Sequence, residues 1–317
     1  MAQAGNCRRA RRWWRIGLVS ALFVGAACVP AKSPPPPPPP TSPLVQAACD
    51  SRLQASAAGL VASDDLIETS GVAASRQNAG VLWAHNDSGD SPRVFAMTTA
   101  GAHLGWFTLD GASAIDWEDM AIGPGPQGGQ SYLYVGDIGD NTHVRSSVVV
   151  YRVPEPNVDI SHPPGNGQSL GNVDALVLQY PDGAHDAEAL AVDPDTGDIV
   201  IVTKELSGQS GVYVRRGSSS ATTLTRTDTI QLGFGTLVTG ASVAPDGSAV
   251  ALRTYGSVLL FPRADGTRLE EAFRSSSCTG ASASEMLGEA IAVTADGRGY
   301  VTISEGTHPP VNHFDAT

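Results

Sequence analysis

The sequence predicts an all-β protein of the β-propeller class, and three observations carry that prediction. From about residue 44 to residue 317, no stretch shows the apolar period of an amphipathic helix. Short runs rich in β-branched and aromatic residues alternate there with Gly, Asp, Asn and Pro, which is the pattern of strands and turns. One strand–turn–strand unit also recurs along the chain at intervals of about 50 residues, and such a period is typical of propellers.

The repeated unit begins with a short apolar strand led by one polar residue. Its five copies are SGVAAS from Ser70, EDMAIG from Glu118, EALAVD from Glu188, TGASVA from Thr239 and EAIAVT from Glu289. A second apolar strand follows each copy and ends in polar residues, as in VLWAHND, YLYVGD and IVIVTKE. Four of the units continue into a third strand, so the unit has the strand content of a propeller blade.

Spacing between the leading residues sets the number of blades. The intervals are 48, 70, 51 and 50 residues, and the long one contains PEPNVDISHPPGNGQSLG. Those additional residues are too few for a four-stranded unit, so we interpret them as a loop and favour five blades. A degenerate sixth blade within the insertion is the alternative. A β-sandwich is disfavoured because its strands would not restart the same unit at near-constant spacing.

The ring of blades must be closed, since an open first and last blade would expose sheet edges. The fifth unit lacks an outer strand after GYVTISEG, and the segment RLQASAAGLV at 52–61 can supply it from the N-terminal side. A bond between Cys49 and Cys278 would staple this closure, so we expect a disulfide there. Two free buried cysteines are the alternative.

The N-terminal residues predict export. Residues 1–27 combine an arginine-rich start with an apolar run too short for a membrane span, as in a signal peptide. VGAAC is similar to a bacterial lipobox and makes Cys28 the predicted lipidation site, with ordinary signal cleavage nearby as the alternative. Residues 28–43 include seven consecutive prolines, which predict a stiff polyproline II tether before a propeller domain at 44–317.

The charge of the chain restricts its partners. The sequence has 20 basic and 32 acidic residues, and removal of residues 1–27 removes five arginines and no acids, which leaves 15 against 32. So acidic a domain is not expected to bind nucleic acid, and we expect membrane contact only through a lipid anchor. We expect a monomer, lipid-anchored at the cell envelope or secreted, that binds a small-molecule or protein ligand.

Polar residues should gather at one mouth of the propeller channel. The first strand of each blade lines the channel, so the five leading residues converge near its axis. The ends of the second strands reach the same face and add these side chains: His85, Asn86, Asp87, Asp137, Lys204, Glu205, Arg253 and Glu305. Converging glutamates repel one another unless positive charge neutralises them. A bound Ca²⁺ and a structural ion-pair network with Lys204 and Arg253 are the two solutions.

The motifs ETSGVAAS, VLWAHNDSGD, IDWEDMAIGP and YLYVGDIGDN, with DAEALAVD and GEAIAVT later, resemble a group of secreted bacterial propellers. That group is described as WD40-like and is loosely similar to phytase-like and gluconolactonase-type propellers. In calcium-dependent hydrolases of this architecture, an axial Glu holds Ca²⁺ with Asn and Asp ligands. The resemblance therefore implies Glu118, Asn86 and Asp137 as metal ligands. We add Glu289, the channel glutamate of the fifth unit, as a fourth.

Two functions fit these features. The first is an extracytoplasmic propeller lipoprotein that binds a ligand or partner at an acidic channel mouth. The second is a Ca²⁺-dependent hydrolase of phosphoesters or lactones, in which Glu188 activates water while Lys204 and Arg253 hold an anionic substrate. The two cations discriminate between the hypotheses. Facing an open pocket they favour substrate binding, and paired to Glu188 or Glu289 they favour a structural role.

Overall fold

Five β-sheets follow one another along the chain in the computed structural model, which describes residues 42–217 and 219–317. A short helix, α1 (Pro43–Cys49), and strand β1 (Leu53–Leu60) precede the first blade. The first blade contains β2 (Thr69–Ala74), β3 (Val81–Asn86), β4 (Arg93–Thr98) and β5 (His103–Leu109). The second contains β6 (Trp117–Pro124), β7 (Ser131–Asp137), β8 (Val148–Pro154) and β10 (Asp174–Leu178), with β9 (Gly165–Leu170) between the last two in the chain.

The remaining blades follow the same order of strands. The third blade contains β11 (Ala187–Val192), β12 (Ile199–Thr203), β13 (Gln209–Arg215) and β14 (Thr225–Gln231). The fourth contains β15 (Val238–Val243), β16 (Ala249–Thr254), β17 (Val258–Pro262) and β18 (Cys278–Thr279), with a 3-10 helix at Leu269–Arg274. The fifth contains β19 (Gly288–Val293), β20 (Gly299–Ser304) and β21 (Pro310–Ala316), and β1 is its outermost strand.

The first strand of each blade lies innermost, and these strands form a closed ring. β2, β6, β11, β15 and β19 contact one another in that order, and β19 contacts β2. The predicted five-bladed propeller is therefore confirmed, and the six-blade and sandwich alternatives are excluded.

Small residues on the innermost strands let five sheets converge. At Gly240 an added Cβ would lie 2.8 Å from the carbonyl oxygen of Glu289. Larger side chains fill the spaces between neighbouring blades, where five buried apolar clusters each join two adjacent sheets. Trp83 and Trp117 are buried in the cluster between the first two blades. Apolar burial of this kind is the main force that holds one blade against the next.

Strand β1 closes the ring from the N-terminal side, as the sequence predicts. It pairs antiparallel with β21, starting with Leu53 opposite Ala316. Cys49, at the end of α1, forms the predicted disulfide with Cys278 at the start of β18. Both predictions are confirmed, and the bond ties the closure of the fifth blade to the outer edge of the fourth.

Part of the insertion in the second blade is a strand, and this corrects its interpretation as a loop. β9 leaves the second blade and pairs parallel with β5, so the first blade has five strands. Gly105 lies opposite Gly165, and a Cβ on Gly105 would lie 2.1 Å from the Gly165 carbonyl oxygen. The sequence of β9, GNGQSL, has no β-branched residue, so its composition carries no strand signal.

The predicted signal peptide at 1–27 and the predicted lipidation site Cys28 lie outside the described residues. Only the last two positions of the predicted tether, 42 and 43, are described. Lipidation and export therefore stay predictions. Within the described parts of the chain, no helix is long and apolar enough to cross a membrane.

Candidate functional site at the channel mouth

The same β-bulge recurs at the start of all five blades and redirects one side chain in each. Between each innermost strand and its neighbour, the pairing register skips one residue near the start of the strand. A bulge leaves its extra residue unpaired and re-aims the side chain, and bulges are over-represented near functional sites. The skipped residues are the five leading residues of the repeat: Ser70, Glu118, Glu188, Thr239 and Glu289.

The two hydroxyl residues of this set hold neighbouring blades together. Ser70 Oγ donates a hydrogen bond to the carbonyl oxygen of Glu118 on the second blade. Thr239 Oγ1 donates to the carbonyl oxygen of Gly288 on the fifth blade at 3.0 Å. Both side chains thus satisfy backbone groups where a bulge interrupts the ladder, and the three glutamates are left as the candidates for chemistry.

Glu118 lies at the centre of the acidic mouth. Only 3% of the residue is exposed, and among the described residues its carboxylate accepts no hydrogen bond and meets no cationic side chain. Burial, and then the charge of Glu188, raise the pKa of Glu118 well above its ordinary value. A buried carboxylate without partners is costly, so Glu118 marks a position where a ligand can supply the missing positive charge.

Four further acids surround Glu118 in two overlapping groups. Carboxylate oxygens of Asp87, Asp116 and Glu118 lie within 4.8 Å of one another, and so do those of Glu118, Asp186 and Glu188. Burial, followed by the charges of Asp87 and Asp186, raises the pKa of Asp116 to about 6. Glu188 Oε2 is buried and has no hydrogen-bond partner among the described residues. Oxygens of five acids therefore crowd one small volume at the mouth.

One lysine links this cluster to the third channel glutamate. Lys204 Nζ donates to Glu188 Oε1 and, at 3.2 Å, to the Tyr255 hydroxyl, which donates to Glu289 Oε1 at 3.1 Å. Burial raises the pKa of Glu188 to about 7, although the charge of Lys204 lowers it. Burial and the charge of Glu188 raise the pKa of Glu289 to about 8. The mouth is thus short of positive charge even with Lys204 in place.

Arg253 bridges the fourth and fifth blades instead of binding a channel glutamate. Its guanidinium pairs with Glu285 and donates to the carbonyl oxygens of Ala290 and Ile303, the latter at 3.1 Å. The residue is buried, and structural groups occupy its donors. Arg253 is thus held by Glu285, and not by the Glu188 or Glu289 that the sequence criterion names, although this bonding also favours a structural role. The pairing of Lys204 with Glu188 meets the criterion and favours a structural role for that lysine.

Asn86 and Asp137, two of the predicted metal ligands, already have protein partners. Asn86 Oδ1 accepts two successive backbone N–H groups of the connection before the first blade, both at 3.0 Å. Asp137 pairs with Arg145 at 2.7 Å and accepts two backbone N–H groups of the connection before the second blade. Both side chains therefore position loops around the mouth.

Asp119 joins three blades within the ring. The residue is fully buried, and its carboxylate accepts the backbone N–H groups of Met120 at 2.8 Å, Leu190 at 2.8 Å and Ala241 at 2.9 Å. These donors belong to the innermost strands of the second, third and fourth blades. Asp140, from the same acidic stretch of sequence, caps its own turn by accepting two backbone N–H groups. Both acids are structural.

The sequence reasoning missed Asp116, Asp186 and Tyr255. Asp116 and Asp186 each precede a channel glutamate by two residues, in IDWED and HDAEA. Because side chains two apart lie on the same side of an extended strand, the repeated Asp-x-Glu pattern is a signal that could have found them. Of the predicted metal ligands, the structure places Glu118 in the acid groups and connects Glu289 to them through Tyr255.

The donor set at the mouth fits a hard divalent cation. Ca²⁺ binds six to eight oxygens, many of them from carboxylates, and both acid groups offer carboxylate oxygens alone. Among the described residues, Glu188 Oε2 and the buried Glu118 carboxylate lack the partner that a cation supplies. Neither group contains His or Cys, which zinc sites usually use. The residues present therefore suit Ca²⁺ better than zinc.

Comparisons with known proteins identify no family for this chain. No protein-family model matches the chain, and no curated protein matches it. A crystal structure of the WD40 repeats of RRP9 is similar to it over 84% of this chain and 100% of that chain, with a TM-score of 0.42 and 11% sequence identity. A likeness this distant carries no argument about the fold or the function of the chain. The narrower resemblance to secreted bacterial, phytase-like and gluconolactonase-type propellers stays a prediction.

Proposed function

We propose that this protein is an exported β-propeller that binds Ca²⁺, and through it an oxygen-rich ligand, at the acidic mouth of its channel. The observation that carries the proposal is the buried Glu118 carboxylate, which has no partner among the described residues while acids crowd it in two groups. Such an arrangement destabilises the cation-free fold, and a cation that binds the folded state relieves the repulsion.

Each acid has a definite part in this proposal. Glu118 is the ligand shared by the two groups, and Lys204 holds Glu188 in place through their ion pair. A bound Ca²⁺ supplies positive charge that can attract a carboxylate, phosphate or hydroxyl group of a ligand. The carboxylates that would hold the cation are those of Asp87, Asp116, Glu118, Asp186 and Glu188.

Export and lipid anchoring are supported by two features. Residues 1–27 and Cys28 have the pattern of a signal peptide followed by a lipidation site. The disulfide between Cys49 and Cys278 is of a kind that persists in oxidising compartments. Mass spectrometry of the mature protein tests this part of the proposal. A lipid-modified N-terminal Cys28 is expected, and a mature chain that retains residues 1–27 would exclude it.

Thermal melting in EDTA and then in excess Ca²⁺ tests the cation site. A cation that binds the folded state alone raises the Tm, and the rise grows with the ratio of its concentration to its Kd. Glu118→Gln keeps the shape of the side chain but removes the shared charge, so the Tm of this variant should not respond to Ca²⁺. Asp265→Asn, at an exposed turn of the fourth blade, should respond like the wild type. A wild-type Tm that is equal in EDTA and Ca²⁺ would exclude the site.

The hydrolase hypothesis depends on Glu188, whose pKa of about 7 suits a general base near neutral pH. However, Lys204 is bound to Glu188 and Arg253 is bound to Glu285, so each cation already has a carboxylate partner. We therefore favour binding over catalysis. A panel of phosphoesters and lactones in Ca²⁺ tests this preference. Turnover by the wild type that Glu188→Gln abolishes would reverse it.

A further inference from the structure

Exposed large apolar side chains concentrate on one face of the propeller. Of the ten among the described residues, seven lie in connections at the mouth end of the channel. These connections join a second strand to a third, or an outermost strand to the next innermost strand. The other three lie on outermost strands and in the insertion. Six of the seven define the apolar rim: Ile67, Ile115, Val144, Leu206, Phe234 and Met286.

Backbone hydrogen bonds bring parts of this rim together. The carbonyl oxygen of Leu206 accepts the N–H of Gly235, the residue after Phe234, at 2.9 Å. Leu206 and Phe234 therefore belong to adjoining loops. Leu287, the seventh residue, follows Met286. The carbonyl oxygen of Leu287 accepts the N–H of Glu305 at 3.0 Å, and the carbonyl oxygen of Ile67 accepts the N–H of Gly306 at 2.8 Å. Both donors lie in the connection between β20 and β21. These bonds therefore fix the loops of Leu206 and Phe234 to each other, and those of Ile67 and Met286 to a common connection.

Exposure of this kind is typical of an interaction surface. Phe234 is 83% exposed and Met286 is 93% exposed, so neither side chain contributes much to the core. Aromatic residues and Met are enriched at protein interfaces, where burial of large apolar side chains favours binding. The turns at the opposite face, such as DPDTGD, APDGS and TADGR, are polar instead.

The negative charge inside the apolar rim indicates what kind of partner can bind there. Seven carboxylates gather there with the ammonium group of Lys204, and the nearby Arg145 guanidinium is paired with Asp137, so the mouth stays negative even with one Ca²⁺ bound. An apolar surface around a negative centre complements a polypeptide that presents a basic side chain between apolar ones. The acids are Asp87, Asp116, Glu118, Asp186, Glu188, Glu289 and Glu305.

We propose that the apolar rim docks a protein partner that inserts an Arg or Lys side chain, flanked by large apolar residues, into the acidic mouth. The basic side chain pairs with Glu289 and Glu305, which lie outside the two acid groups around Glu118. Leu206 and Phe234 pack against its apolar flanks. This docking shares the mouth with the proposed Ca²⁺ site but does not require a bound cation.

Selection of random linear peptides on the immobilised full chain tests the docking. Selected peptides should carry Arg or Lys beside large apolar residues, and synthetic copies should bind in fluorescence polarisation. Combined Leu206→Ser and Phe234→Ser substitutions should weaken this binding at least about tenfold, as loss of an interface anchor does. Ile160→Ser is the matched control, because Ile160 is exposed beside Gly80, in a turn of the opposite face, and it should leave the affinity unchanged.

Three results would overturn the docking proposal. They are a failure to select any peptide, selected peptides without basic residues, and peptides that bind the doubly substituted rim as well as the wild type. Sedimentation and flotation with phosphatidylcholine vesicles examine other occupants. Self-association or vesicle binding that the rim substitutions abolish would assign the rim to a second copy or to a membrane.

Peptide binding measured in EDTA and in Ca²⁺ keeps the two proposals apart. Binding that persists in EDTA supports docking, whatever the response of the Tm to the cation. A peptide that binds in Ca²⁺ alone would overturn the claim that docking is independent of the cation. A Tm that rises in Ca²⁺ without any peptide binding leaves the cation site standing and removes the docking.

Discussion

Replacement of Glu289 by Gln should stabilise the cation-free protein at alkaline pH and leave its stability unchanged in acid. Burial first, and the charge of Glu188 next, raise the pKa of Glu289 from 4.5 to about 8. Below pH 4.5 this carboxyl group is protonated in both the folded and the unfolded chain, so it costs no stability there. As the pH rises the unfolded chain ionises first, and stability is lost until the folded-state pKa is passed near pH 8.

The two pKa values give the size of this effect. The interval from 4.5 to about 8, at about 1.36 kcal/mol per pH unit, corresponds to about 5 kcal/mol of destabilisation at pH 8. Gln keeps the size of the side chain and can still accept the hydrogen bond from Tyr255. Glu289→Gln should therefore raise the free energy of unfolding by up to about 5 kcal/mol at pH 8 and hardly change it at pH 4.5.

Urea denaturation in EDTA at these two pH values measures the difference. Asp265→Asn, which alters an exposed turn, is the control and should change the free energy of unfolding by less than about 0.5 kcal/mol at either pH. Equal stabilisation by Glu289→Gln at both pH values, or destabilisation at pH 8, would refute the reasoning. Either outcome would mean that the effect of Glu289 on stability does not come from its charge.

Three further substitutions test the framework around the mouth, each by urea denaturation. Asp119→Ala leaves three buried N–H groups without an acceptor, so it should lower the free energy of unfolding by about 3–5 kcal/mol or abolish soluble expression. A decrease under about 1 kcal/mol would contradict the role of Asp119. Cys49→Ala with Cys278→Ala opens a loop spanning 229 residues and should cost about 2–5 kcal/mol, whereas unchanged stability would show that packing alone closes the ring. Arg253→Met should cost about 3–5 kcal/mol because it leaves Glu285 buried and unpaired, and adding Glu285→Gln should recover part of that loss; no recovery would argue against the pair.

The architecture could be predicted because the same local sequence pattern recurs along the chain. A small apolar strand, an Asp-Gly turn and a second apolar strand recur at 188–203, 239–254 and 289–304, and the structure builds blades from these segments. β9 could not be predicted, since GNGQSL has neither alternation nor β-branched residues. β9 becomes a strand by pairing with the edge strand β5, which is distant in the sequence, and no local pattern predicts that pairing.

The positions of residues fixed by the repeat could be predicted from the sequence, whereas bonding fixed by tertiary contacts could not. Glu118, Glu188 and Glu289 occupy equivalent positions in three units, so the repeat alone places them together. The partner of Arg253, in contrast, is Glu285, which lies 32 residues away in a loop and not at a position that the repeat marks. Likewise, Asn86 looks like a metal ligand in sequence, and only the structure shows its amide oxygen occupied by backbone donors.

The bonding of the buried acids, rather than their number, separates the site from the framework. Asp119 and Asp137 are fully buried, and each has at least three donors or a cation to compensate its charge. Glu118 is also buried, with 3% of the residue exposed, and has none among the described residues, while Glu289 leaves one buried oxygen unpartnered there. Because the same fold supplies donors to some buried acids, an inability to pair carboxylates does not explain the others. Removal of the Asp119 acceptor should therefore destabilise the propeller, because three buried N–H groups lose their partner. Neutralisation of Glu289 should instead stabilise it and remove a contact that the docked partner uses.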